Sequence, residues 1–148
     1  MRTRAAGLAD LEHEIERARR ASAPLVVAYV DVVGLKAVND GRGHAAGDAL
    51  LQRVVHAIRG HMRCYDLLVR LGGDEFLCAM SGATRVDARK RFRAIKDTLA
   101  AGPDRCEIKV GFAALAPKDG ADELMQRADA ELPITRRTSL HIAPRAEE

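Results

Sequence analysis

The amino-acid sequence predicts an α/β (α+β) fold, a single mixed central sheet covered by helices. Three observations carry this expectation. Helical and strand-like apolar periods alternate along the chain, in the order helix, strand, helix, hairpin, helix, strand, helix. One segment, LVVAYVDVV, is apolar almost throughout, as a strand buried on both faces would be. Two short β-rich runs flank a Gly-Gly pair in LLVRLGGDEFLCAM, the pattern of a hairpin. A chain of 148 residues suffices for one core, and one domain spanning residues 1–148 is expected.

The elements follow in order. Residues 7–21 place Leu8, Leu11, Ile15 and Ala18 at helical spacing, with Glu14 and Arg17, and Glu16 and Arg20, as surface pairs. This is the core of an N-terminal helical region, 1–22, that Ser22 and Pro24 end. Residues 24–33 form the buried strand. Residues 34–44, GLKAVNDGRGH, read as a loop or short helical turn. Residues 45–62 set Leu50, Leu51, Val54, Val55 and Ile58 on one helical face. The hairpin covers residues 67–80. Residues 84–101 form an amphipathic helix with Thr84 as N-cap, stopped by Gly102-Pro103. Residues 106–115 are a strand and 120–132 a last helix, which Pro133 terminates. No repeat or low-complexity segment interrupts the pattern.

Composition narrows the function classes. Apolar residues make up 47% and charged residues 30%, the balance of a soluble globular chain. Aromatics are 3%, so the core is aliphatic and platforms for base stacking are scarce. The net charge of +3 is mild and its basic residues are dispersed, so no nucleic-acid partner is expected. Cys64, Cys78 and Cys106 lack metal-ligand spacing and read as reduced packing residues. No apolar run is long enough to span a bilayer, and the N-terminus turns polar and acidic too soon for a signal peptide. A cytoplasmic protein without a membrane partner is the expectation.

The chemistry concentrates at two places. Asp31 ends the buried strand, where a carboxylate is costly unless paired or bound to a metal. Asp74 and Glu75 follow the Gly72-Gly73 turn. If the second hairpin strand lies beside the first strand, Asp31 and a hairpin carboxylate can face one ion. Two carboxylates with open water positions suit Mg²⁺, which commonly shares its shell with phosphates. The turn at Gly34 can offer backbone N–H groups to phosphate oxygens, and Lys36 adds a point charge. Gly72 and Gly73 omit side chains where a nucleotide would approach. Read alone, each feature has a plain alternative: Gly-Gly as turn chemistry, Asp31 as a local cap, NDG as an ordinary turn.

At these residues the chain resembles the GGDEF family, the diguanylate cyclases. Gly72 to Phe76 carry the name motif intact, and DVVGLKAVNDGRGHAAGDALL resembles the family's upstream segment through Asp31, Lys36, Asn39, Asp40, Gly43, His44, Gly47 and Asp48. IKVGFA and ADELMQRADAEL resemble the strand and helix that follow, so the likeness covers residues 25–132. It implies a nucleotidyl-cyclase, palm-like fold and the condensation of two GTP molecules into cyclic di-GMP, with pyrophosphate released and two domains meeting as a homodimer. By the same resemblance, Asp31, the Val32 carbonyl and Asp74 bind Mg²⁺, or Mn²⁺ in its place. Asp74, Glu75 and Asp31 are the catalytic acids. Asn39 and Asp48 read guanine, while Lys36, Gly34, Leu35 and Gly73 hold the rest of GTP. An amide plus a carboxylate can satisfy the N1–H and N2–H₂ edge of guanine. Arg63 and Asp66, with five residues between Asp66 and Gly72, match the family's inhibitory product site. His44 opens a helix and is read as structural.

The departures also carry information. Val33 stands where the family has a second Asp, and Leu35 where it has Phe. The N-terminal motif is reduced to AAGL. The C-terminal tail, 133–148, is atypical: Pro133, Arg136 and Leu140 occupy positions of a family Tyr, Lys and Arg. No sensory or dimerising segment is expected within this sequence. Two function classes result, a Mg²⁺-dependent cyclase, or a degenerate domain that binds GTP or cyclic di-GMP as a receptor. A cyclase making another cyclic dinucleotide is a third, which Asp48 disfavours.

Overall fold

The computed structural model describes residues 3–133. Its elements are α1 (Arg4–Ala21), β1 (Leu25–Val32), α2 (Leu35–Arg42), α3 (His44–Gly60), β2 (Leu67–Arg70), β3 (Glu75–Ser81), α4 (Arg85–Ala100), β4 (Ile108–Ala114) and α5 (Ala121–Ala130). Every predicted helix and strand is present. The segment read as a loop or short turn is α2, a helix of 8 residues, because Gly43 rather than the NDG tripeptide ends it. The atypical tail beyond Pro133, with Arg136 and Leu140, lies outside the described residues.

The sheet order is β2-β3-β1-β4. Each neighbouring pair is antiparallel, so the sheet is antiparallel rather than mixed. The expectation of a mixed sheet followed from the order of helices and strands with a single hairpin, a pattern that crossover connections would pair partly in parallel. Here helices cover both faces of an antiparallel sheet and produce the same pattern. The β1-to-β2 and β3-to-β4 connections each skip one strand. The result is a split β-α-β arrangement with β1 in the middle.

The strand pleat sorts side chains into two cores. Val26, Ala28, Val30 and Val32 join Phe76, Cys78 and Met80 beneath α3 and α4. Phe92 of α4 and Phe112 of β4 meet edge-to-face there, with centroids 5.7 Å apart. Leu25, Val27 and Tyr29 join Leu77 and Ala79 on the other face, beneath Leu11, Ile15 and Ala18 of α1 and Leu124, Met125 and Ala128 of α5. Each fully buried Leu, Val or Phe contributes about 1.5–3 kcal/mol. Cys78 is buried and Cys106 partly so, and burial pushes both thiols up, as packing residues require. Cys64 is exposed and does not fit that expectation.

The ends of the elements obey local chemistry. Thr84 accepts from the Asp87 N–H while Asp87 accepts from the Thr84 N–H, a reciprocal cap on α4. Ser22 takes the left-handed conformation, φ 51°, that closes α1. Glu14 pairs with Arg17 at 3.1 Å.

Candidate active site

The strand register assembles the site. Asp31 of β1 lies opposite Glu75 of β3 on one side and Lys109 of β4 on the other. Residues opposite one another on antiparallel strands project to the same face. Glu75, Asp31 and Lys109 therefore form a charged row at the end of the sheet, on the α1/α5 face. Asp31 was expected to face a hairpin carboxylate, and the register makes Glu75 that carboxylate. Asp74 sits one residue earlier, where its carbonyl accepts from the Val32 N–H at 2.9 Å. Tyr29 donates its hydroxyl to Glu75 Oε1 at 3.2 Å. Burial and the adjacent Glu75 push the Tyr29 phenol up to about 12, so it remains a donor at neutral pH.

The hairpin turn is closed by Leu71 N–H to Glu75 O at 2.8 Å. Arg70 clamps it from outside, its guanidinium donating to the carbonyls of Gly72 at 3.0 Å and Gly73 at 2.9 Å. Neither glycine has a positive φ. A Cβ on Gly73 would meet nothing within 4 Å, and one on Gly72 only Glu75 Oε1 at 3.5 Å. The protein's own geometry demands glycine at neither position. Turn chemistry does not explain the pair, and what the missing side chains leave clear is space outside the chain.

Gly34 differs. Its φ of +83° makes it the residue that turns the chain from β1 into α2. The first turn of α2 has no side-chain cap, so the N–H groups of Leu35 and Lys36 face outward. Asn39 and Asp48 are brought together by a close contact of α2 with α3. A Cβ on Gly47 would lie 1.8 Å from Asn39 Oδ1, so only glycine admits Asn39 there, one residue from Asp48. Asp48, Gln52, His56, Arg59, Arg70 and Phe76 line a cleft of about 540 Å³ between α3 and the hairpin. His44 stands exposed at the start of α3, in keeping with a structural reading.

A second site lies at the start of β2, at the end of the hairpin away from its glycine turn, and shares Arg59 with the cleft. Asp66 accepts from the Arg63 backbone N–H at 2.8 Å and from Arg91 Nη1 at 2.9 Å. Its side chain is fully buried and its Oδ1 has no hydrogen-bond partner. The Arg63 guanidinium turns instead to the Tyr65 hydroxyl, at 2.8 Å. Arg59, Met62, Arg63, Cys64 and Asp66 line a cavity of about 370 Å³ at this point. The pair is thus not a helical surface pair, because the buried carboxylate is anchored by α4.

Three side chains of these sites were missed in the sequence: Arg70, Arg91 and Tyr29. Arg70 had a local signal, an arginine beside two carbonyls that a glycine turn leaves bare. Arg91 and Tyr29 had none, being 25 and 46 residues from their partners.

The antiparallel sheet, its two helical layers and the carboxylate-bearing hairpin define an α+β domain whose solved counterparts are GGDEF domains. The chain belongs to that family: the model described as "Diguanylate cyclase, GGDEF domain" matches residues 2–139. It is 36% identical over 129 residues to the bifunctional diguanylate cyclase/cyclic di-GMP phosphodiesterase MucR of Pseudomonas aeruginosa, covering 82% of this chain and 19% of MucR. It is 34% identical over 134 residues to diguanylate cyclase DosC of Escherichia coli K12, covering 85% of this chain and 29% of DosC. The crystal structure of the GGDEF domain of YfiN (TpbB) from Pseudomonas aeruginosa superposes with a TM-score of 0.80 at 30% identity, over 86% of this chain and 85% of that one. The chain spans less than a third of the length of MucR or DosC.

Proposed function

We propose that this domain is a diguanylate cyclase that condenses two GTP molecules into cyclic di-GMP and releases two pyrophosphates. One observation carries the reading: the Asp31–Glu75 register beside a glycine turn where added Cβ atoms would meet open space or only Glu75. Each 3′-hydroxyl oxygen attacks the α-phosphorus of the other nucleotide, the bond to pyrophosphate breaks, and the hydroxyl proton passes to a carboxylate or water. Asp74 and Glu75 are the nearby carboxylates for that role. Two nucleotides require two sites, so the active form is a homodimer.

The donor set fits Mg²⁺. Asp31, the Val32 carbonyl and the carboxylates of Asp74 and Glu75 would hold it, and a magnesium site needs only one or two carboxylates when phosphates complete its shell. Bound there, with Mn²⁺ as a substitute, the cation neutralises phosphate charge and polarises the α-phosphoryl group. Asn39 and Asp48 bind the guanine edge, and the cleft behind Asp48 takes the base. The uncapped start of α2 at Gly34 and Leu35, with Lys36, receives phosphates. The buried Asp66 Oδ1 is an acceptor awaiting guanine donors, and with Arg63 and Arg91 it suits a product site that inhibits turnover. A cytoplasmic location accords with the GTP substrate, and no helix among the described residues is long and apolar enough to cross a membrane.

A receptor that binds cyclic di-GMP without turnover is the second reading. It is favoured by the departures from the family pattern in the sequence, the reduced N-terminal motif and the atypical tail with Pro133, Arg136 and Leu140. Incubation with GTP and Mg²⁺, followed by mass spectrometry, separates the two. Cyclic di-GMP from the wild type, none from Asp74→Ala and no cyclic dinucleotide from ATP support the cyclase. Tight cyclic di-GMP binding without product at high protein concentration overturns it in favour of the receptor.

A further inference from the structure

Tyr29 is the one residue with a polar tip in the buried run from Leu25 to Val30. It is 8% exposed, and its ring packs in the core beneath α1 and α5. Phenylalanine would supply the same packing, so the hydroxyl is an addition that the core does not need. A buried hydroxyl is costly without a partner, and the partner here is Glu75. Tyr29 lies opposite Leu77, two residues from the Asp31–Glu75 pair on the same face. Its ring therefore reaches diagonally along the sheet to the carboxylate, within the range that aromatic side chains span.

The consequence falls on Glu75. A half-buried glutamate has three side-chain torsions to settle. A hydrogen bond to Oε1 restrains the carboxylate of a residue that lies opposite Asp31 in the register. We propose that Tyr29 is a positioning residue for the cation site, holding Glu75 by one oxygen so that its second oxygen is presented beside Asp31. This rests on the cyclase reading, since it assigns Glu75 to the metal. Lys109 lies opposite Asp31 on the other side of β1 from Glu75.

The test uses Tyr29→Phe, Glu75→Gln and the double variant, with folding checked by circular dichroism. Mn²⁺ binding is titrated by electron paramagnetic resonance in the presence of a non-hydrolysable GTP analogue, which reads the site without turnover. Tyr29→Phe is expected to weaken Mn²⁺ binding about five- to tenfold, the scale of one ordinary intramolecular hydrogen bond. In the Glu75→Gln background the same change is expected to have no further effect, because the coupling runs through Glu75. Wild-type affinity in a folded Tyr29→Phe protein overturns the proposal, as does an equal loss in both backgrounds. If the wild type itself binds no Mn²⁺ with the analogue, the cation-site reading fails and this inference with it. Wild-type binding that Tyr29→Phe leaves unchanged defeats the inference alone.

Discussion

Gly73→Ala separates space kept for a ligand from space the fold needs. The added methyl meets no atom of the chain within 4 Å, and the backbone there is open to L residues. Folding is therefore expected to lose no more than about 0.5 kcal/mol of stability. Reduced freedom of the unfolded chain adds at most about 0.4–1 kcal/mol of stabilisation. A methyl forced against a bound nucleotide costs on the order of 1–3 kcal/mol, as overpacking does elsewhere. That corresponds to a loss of about 5- to 150-fold in kcat/KM for cyclic di-GMP formation. Gly47→Ala is the matched control, since its methyl would lie 1.8 Å from Asn39 Oδ1 and must disturb the contact of α2 with α3. Thermal melts and initial rates on both variants give the answer. A Gly73→Ala protein that makes product at the wild-type rate would refute the claim that the turn is cleared for a ligand. So would a melting temperature that falls as far as that of Gly47→Ala.

Four further outcomes are expected. Asp74→Ala should lose turnover while cyclic di-GMP binding, followed by calorimetry, stays close to wild type, because Arg63 and Asp66 sit at the end of the hairpin away from its glycine turn. Arg91→Ala leaves the buried Asp66 carboxylate without its cation, so chemical denaturation should show a loss of about 3–5 kcal/mol, and cyclic di-GMP binding should weaken as well. Thr84→Ala removes the reciprocal cap of α4 and should cost about 1 kcal/mol, visible as a melting temperature lower by several degrees. Glu131 gives a pH dependence. Burial acts to raise its pKa, but the Phe112 N–H and Arg85 prevail and hold the carboxyl below its ordinary value of 4.5. A depressed folded pKa stabilises the fold above that value and is lost as pH falls through the lower one. The melting-temperature gap between wild type and Glu131→Gln should therefore be full at pH 6 and should shrink below about pH 4.5.

Elements governed by local periodicity were legible in the sequence. The apolar stripes of α1, α3 and α4 and the Thr84 cap need only neighbours three or four residues away. The placement of Asp31 beside a hairpin carboxylate followed from one assumption about strand pairing, which the register bears out for Glu75. Sheet direction was misjudged because a strand–helix–strand order fits either a parallel crossover or, as here, connections that skip one strand and return antiparallel. The short helix α2 was hidden because NDG favours turns locally, whereas packing of Asn39 against Gly47 keeps the helix going to Arg42. The hydrogen bond from Tyr29 to Glu75 and the ion pair of Arg91 with Asp66 leave no local trace. They become visible only once the sheet order brings distant segments together.

The alternation of faces along a strand also restricts what the chain can inherit. Asp31, Glu75 and Lys109 share a face only while each keeps its parity within β1, β3 and β4. A single-residue deletion inside β3 would turn Glu75 toward the aliphatic core under α3 and α4 and bring a core side chain up in its place. Insertions before β4, in the exposed stretch from Gly102 to Arg105, shift no such count. Lineages of this domain should therefore vary in length at that loop and stay invariant in residue count between Asp31 and the end of β1, and between the glycine turn and the end of β3.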